Sequence, residues 1–144
     1  MVRERILSEI KYCQRKIDEY EVQIRNIKKQ IENQCNGLDK FKTMKSGFED
    51  AKSSRLSTVN QIFSSFDNNR TAQLYAAGMK GFLTGQKAET ANQGLENIAR
   101  KMFAEISSNE EKVNQLQRNI RRLNNRIDDL RYELRHLPQQ PKHS

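Results

Sequence analysis

Apolar residues recur along the second half of the chain with spacings that alternate between four and three. Ala88, Asn92, Leu95, Ala99, Met102, Ile106, Asn109, Val113, Leu116, Ile120, Leu123, Ile127, Leu130, Leu134 and Leu137 form this series, and only Asn92 and Asn109 interrupt it. The pattern is the a/d series of a heptad repeat, sustained for about seven heptads. It predicts a long amphipathic helix over 88–137 whose apolar seam faces a partner helix. Pro138 and Pro141 end that helix, and residues 138–144 are expected to be a disordered tail.

The first half repeats the pattern. Ile6, Ile10, Cys13, Ile17, Tyr20, Ile24, Ile27, Ile31, Leu38 and Phe41 share one register, with Gln34 in the polar slot. Asn36-Gly37 has the composition of a turn. Ile31 and Leu38 nevertheless stay seven apart across it, and a turn has no reason to preserve phase. One helix over about 3–66 is the expectation. Past Phe41 the seam positions fall on Lys45, Lys52 and Arg55, while Met44, Phe48 and Ala51 offer a shifted stripe. A local change of supercoil is expected there, before Val59, Ile62 and Phe66 resume the register.

Residues 67–87 lack the repeat. Asp67, Asn68 and Asn69 are poor helix-interior residues, and Gly78, Gly81 and Gly85 punctuate the rest of the segment. The chain is expected to reverse in this region, through a short helical or irregular turn. Phe66, Leu74, Tyr75, Met79, Phe82 and Leu83 would form an apolar cap on it. A β-hairpin is a poor fit, because Thr71 and Thr84 are the only β-branched residues between 66 and 88 and there is no alternation. The fold class expected is therefore all-α, a long antiparallel helical hairpin forming a single domain over 1–137.

Composition agrees. Of 144 residues 31% are charged and only 35% hydrophobic, which suits elongated helices that each bury a narrow stripe. No apolar run reaches the length of a membrane span, and the first residues lack the apolar core of a general secretory signal. Cys13 and Cys35 lie 22 positions apart on one predicted helix. At that separation they are about 33 Å apart and cannot pair within the chain. They read as reduced thiols in a cytoplasmic setting.

Candidate chemistry is sparse. His136 and His143 sit close to the end of the chain, where nothing would hold a catalytic or metal-binding imidazole in place. The glycines do not form a phosphate-binding loop. Carboxylate pairs such as Glu110-Glu111 and Asp128-Asp129 read as solvated helix faces. No catalytic residue, cofactor site, metal site or small-molecule substrate is assigned, and the chain reads as a non-enzyme. The net charge is +8, and residues 112–135 hold Lys112, Arg118, Arg121, Arg122, Arg126, Arg131 and Arg135. These bases spread over several faces, as for a solvated surface with Asp and Glu partners. An electropositive surface for nucleic acid or anionic lipid is the weaker reading, since Tyr132 is the only aromatic among them.

The stretch Phe82, Leu83, Thr84, Gly85, Gln86, Lys87, Ala88, set between two long amphipathic helices, resembles the W-x-G loop of the small helical-hairpin proteins of type VII (Esx-type) secretion. Leu83 stands at the place of the Trp, Thr84 in the middle and Gly85 at the Gly. The resemblance is nearest to the longer WXG-like proteins encoded beside LXG-domain toxins in Gram-positive bacteria. On the residues themselves, Gly85 could supply a positive φ for the reversal, Thr84 could cap the second helix, and Leu83 could pack on the end of the first. Membership would imply a targeting factor or chaperone that binds the helical N-terminal domain of an LXG toxin, or another helical hairpin. It would also imply a cytoplasmic protein that is itself open to export through a type VII system. A family export signal of the form Tyr-x-x-x-Asp/Glu is not met at Tyr132. Phe63 and Asp67 fit a looser Phe-x-x-x-Asp form.

A lone two-helix hairpin buries one stripe per arm. Met44, Leu56, Phe63 and Phe103 lie off the seam and would give a second contact surface, so a four-helix heteromer or homodimer is expected. The seam residues Ile17, Ile24, Ile31, Met102, Ile106, Val113, Leu116, Ile120, Leu123, Ile127 and Leu130 are the candidate helix seam and partner interface. The competing readings are a free-standing coiled-coil scaffold or homo-oligomer, and a basic nucleic-acid-binding module.

Overall fold

The structure, a computed structural model, describes residues 1–138. The end of the expected tail, with Pro141 and His143, lies outside the described residues. The chain is an all-α helical hairpin built from α1 (Val2–Ser65), α2 (Arg70–Thr84) and α3 (Gln86–Arg135), with no strand among the described residues. No proline precedes Pro138, so nothing in the sequence breaks α1 before its polar end. Asn36 and Gly37 lie inside α1. The chain divides into two compact units, one of residues 1–32 with the chain from Ser107 onward, the other Asn33–Ile106.

In the first unit the two arms run antiparallel. Ile6, Ile10, Cys13 and Ile17 of α1 form one core with Ile127 and Leu130 of α3, and Ile120, Leu123, Leu134 and Leu137 pack around it. Each fully buried aliphatic side chain contributes roughly 1.5–3 kcal/mol, so this short cluster carries much of the unit's stability. Across it the Arg126 guanidinium donates to Glu9 Oε1 at 2.9 and 3.0 Å. That bond and the carboxylate's charge hold Arg126 above its ordinary pKa. Cys13 lies in the core, whereas Cys35 is exposed, and the two are not joined.

The second unit holds the hairpin tip. The reversal is narrower than the expected 67–87: α1 ends at Ser65, and residues 66–69 turn the chain into α2. Asn69 caps α2, its Oδ1 accepting from the Ala72 amide at 3.0 Å. Gln73 Nε2 donates to the carbonyl oxygens of Phe63 and Phe66 at the end of α1, and the Phe66 carbonyl also accepts from the Asn69 amide at 3.0 Å. α2 then returns along α1, burying Ala76 and Leu83 against Val59, with Leu56, Ile62, Phe63 and Met79 around them.

The seam is occupied along most of its length, although Phe66, expected to resume the register, is exposed. Every seam position from Ala88 to Leu137, and every one from Ile6 to Phe41 including Gln34, is buried or half-buried. The expected shifted stripe does not turn inward. Met44 is 57% exposed and Phe48 50%, and Ala51 is exposed as well. Lys45 and Lys52 stay half-buried instead. A lysine can lay its aliphatic stem along a seam and keep its ammonium in water, and Lys45 Nζ reaches Glu49 at 3.9 Å. At the next step exposed Arg55 is replaced by half-buried Leu56.

Candidate interaction surface

Between Arg55 and Lys80 the chain carries only two charged residues, Asp67 and Arg70. α2 has no carboxylate at all. One side of this helix, Ala76 and Leu83, is committed to α1. Its other side presents Leu74 at 65% exposure, Tyr75 at 62% and Phe82 at 73%. Gly78 and Gly81 lie between these side chains, with open space above each α-carbon. The expected six-residue cap is therefore not formed. Leu83 is buried and Met79 half-buried, while Phe66, Leu74, Tyr75 and Phe82 face outward. The reason is geometric: α2 carries apolar side chains on two sides, and α1 covers only one of them.

Two shallow grooves follow the line where α2 meets α1, and they share Ile62 and Tyr75. The first, of about 260 Å³, runs past Arg55, Thr58 and Met79. The second, of about 450 Å³, runs past Phe66, Asn69 and Ala72. Both are open and apolar. Neither contains an acid–base pair, and no cluster of three or more His, Cys, Asp or Glu side chains able to hold a metal occurs among the described residues.

The three turn-motif residues have distinct roles. Leu83 packs on the end of α1, in the cluster with Val59 and Ala76. Thr84 does not cap α3: its hydroxyl donates back to the Lys80 carbonyl at 2.6 Å, inside α2. Gly85 does not adopt a positive φ. Its backbone is extended (φ −73, ψ 176), and no residue described has a positive φ. The chain does not reverse here. Gly85 is a one-residue break between α2 and α3, and its carbonyl accepts from the Glu89 amide at 3.1 Å to start α3. A side chain is excluded because a Cβ at this position would lie 2.5 Å from the Gly81 carbonyl oxygen.

The looser export motif is divided. Phe63 is half-buried under α2, with Lys80 Nζ 5.9 Å from its ring centroid, while Asp67 is exposed in the turn. The seam residues Ile17, Ile24, Ile106, Val113, Ile127 and Leu130 are buried, and Ile31, Met102, Leu116, Ile120 and Leu123 half-buried. Their apolar faces are largely taken up within the chain. Of the off-seam residues expected to form a second contact surface, Leu56 and Phe63 are consumed by α2. Met44 and Phe103 remain outside at 57% and 61% exposure, with Phe48 at 50% and Ile98 at 47%. Of these four, only Ile98 escaped the sequence pattern, because it is an isolated departure from the repeat.

The basic residues of α3 are partly paired. Arg118 meets Glu111 at 2.8 Å and Arg126 meets Glu9, while Arg121, Arg122, Arg131 and Arg135 are exposed. No helix among the described residues is long and apolar enough to cross a membrane. No family model matches the chain, and no curated protein or solved structure matches it either.

Proposed function

We propose that this chain is a non-enzymatic interaction protein that packs side by side with another helical hairpin. Its partner in this reading is the helical N-terminal domain of an LXG-type toxin, for which the chain acts as a targeting factor or chaperone in type VII secretion. The observation that carries the pairing is the second apolar set on the arms. The heptad seam is used up inside the chain, yet Met44, Phe48, Ile98 and Phe103 remain about half exposed or more outside it. We read these four exposed apolar side chains, two on each arm, as the contact with a protein partner. The identity of the partner rests on the resemblance around Leu83, Thr84 and Gly85.

The test is co-expression with the LXG protein of a neighbouring gene, followed by light scattering of the purified complex. A stoichiometric complex is expected, and Met44→Asp with Phe103→Asp should weaken it at least about tenfold. A chain isolated from its native cell with no stoichiometric helical partner, or a complex indifferent to both substitutions, overturns the reading.

A further inference from the structure

We propose that the outward face of α2 is a self-association surface, on which a second copy of this chain docks its own α2 antiparallel, with the two-fold axis at Gly78. The face presents Leu74, Tyr75 and Phe82 around Gly78 and Gly81, and none of the described residues covers it.

Its shape is complementary to itself. Leu74 and Phe82 each lie four positions from Gly78, and Tyr75 and Gly81 each lie three from it. Two such helices running antiparallel about Gly78 set Leu74 of one copy against Phe82 of the other, twice. They also bring the two Tyr75 rings together on one flank of the crossing and the two Gly81 residues together on the other, where the absent side chains let the backbones approach. Residues four apart form a ridge along a helix, and a notch at the middle of that ridge lets two helices cross closely. Glycine is among the poorest helix formers, so two of them on an exposed helical face need an external reason. Close approach of a second backbone supplies it.

Charge decides the direction. The face carries Arg70 at one end and no carboxylate. A parallel pair would bring the two Arg70 guanidinium groups to the same level of the interface. The antiparallel pair keeps the two guanidinium groups about 24 Å apart at 1.5 Å per residue. The area also fits a second copy. Aromatic side chains bury about 150–250 Å² each when covered. At the exposures seen, Leu74, Tyr75 and Phe82 offer roughly 400 Å² per copy. With the neighbouring backbone, two copies approach the roughly 1,000 Å² at which specific interfaces begin. A weak, reversible dimer follows, and it leaves the arms free for the toxin-like partner. The inference stands apart from that partner's identity.

The test uses the full chain carrying Cys35→Ser, so that Cys13, which is buried, is the only native thiol. Sedimentation equilibrium should show a monomer–dimer exchange as concentration rises to several hundred micromolar. Phe82→Asp should raise the dimer dissociation constant at least about tenfold, with the far-UV spectrum and melting of the dilute protein unchanged. Gly78→Cys has space for its side chain and should form a disulfide-linked dimer under mild oxidation. Ser108→Cys, exposed on α3, should not. The proposal is overturned by a chain that stays monomeric, by a dimer that survives Phe82→Asp, or by Gly78→Cys cross-linking no faster than Ser108→Cys. Phe82-dependent binding to phosphatidylserine-containing vesicles without self-association would overturn it too, assigning the face to a membrane surface. Binding of the LXG domain by the Phe82→Asp chain is measured alongside, so loss of the dimer and loss of the partner are told apart.

Discussion

Gly85 and Gly81 stand four residues apart across the break between α2 and α3, and a Cβ on the first would sit 2.5 Å from the carbonyl oxygen of the second. The obstacle is backbone, which a rotamer change cannot relieve. Gly85→Ala is therefore expected to cost about 1–3 kcal/mol, by forcing the α2 end to open or α3 to start late. Gly37→Ala should do the opposite. It lies inside α1 with nothing within 4 Å of the added carbon, and alanine is a better helix former by about 0.5–1 kcal/mol. Urea unfolding of the two variants beside the parent chain checks the sign of each. A Gly85→Ala protein as stable as the parent would remove the steric reading of the break.

Leu83 is the anchor of α2. It is 7% exposed and packs with Val59 and Ala76, the latter fully buried. Leu83→Ala should cost about 2–5 kcal/mol of local stability through the cavity it leaves. Leu83→Asp should do more, since an unpaired carboxylate would be set among apolar atoms. The expected outcome is release of α2 while the core around Ile10 and Leu130 persists. Hydrogen exchange would then show amides 72–84 unprotected and those near 13 and 127 still protected. Equal loss at both places would mean that the two units unfold together.

The arms were legible in the sequence and the tip was not, for physical reasons. A heptad repeat reports its own burial, because only one stripe of a long helix can face a partner, and all seam residues of α3 are covered as the repeat implies. At Met44 and Phe48 the eye is drawn to hydrophobicity. The geometry instead follows phase, and Lys45 and Lys52 keep the seam because their stems can serve as apolar cover. Gly85 looked like a reversal residue because glycine often supplies positive φ. Its actual role, yielding space to the Gly81 carbonyl, depends on a close approach that no local pattern encodes. α2 gave no periodic signal since it is apolar on both faces.

The α1–α2 turn rests on two side-chain amides. Asn69 Oδ1 accepts from the Ala72 amide, and Gln73 Nε2 donates to Phe63 and Phe66. Asn69→Ala should cost about 1 kcal/mol, the usual loss for an N-cap. Gln73→Leu should cost about 1–2 kcal/mol, because two carbonyls lose a shared donor at the end of α1. Chemical denaturation of the single and double variants measures both. Because the two amides brace one turn, the double variant should fall short of the sum of the singles. Full additivity would show that cap and brace act independently.

Asn92 is the remaining polar seam residue with a visible cost. Its Oδ1 is buried and accepts no hydrogen bond, in contrast with Asn109, which is 7% exposed and has a partner. An unsatisfied buried oxygen costs about 1–3 kcal/mol, so Asn92→Leu should stabilise the chain by about that amount. Asn92→Asp tests the same environment from the other side. A carboxylate there would lose hydration without gaining a partner, which raises its folded-state pKa above the roughly 3.9 of the unfolded chain. Above the raised pKa the folded state holds an ionised, poorly solvated carboxylate and bears the full penalty. As the pH falls through that pKa the folded chain takes up the proton first, and the penalty shrinks. Melting temperatures of Asn92→Asp should therefore approach those of the parent as the pH drops from 7 towards about 4. A gap that stays constant over this interval would place residue 92 in contact with water, and Asn92→Leu would then bring no gain.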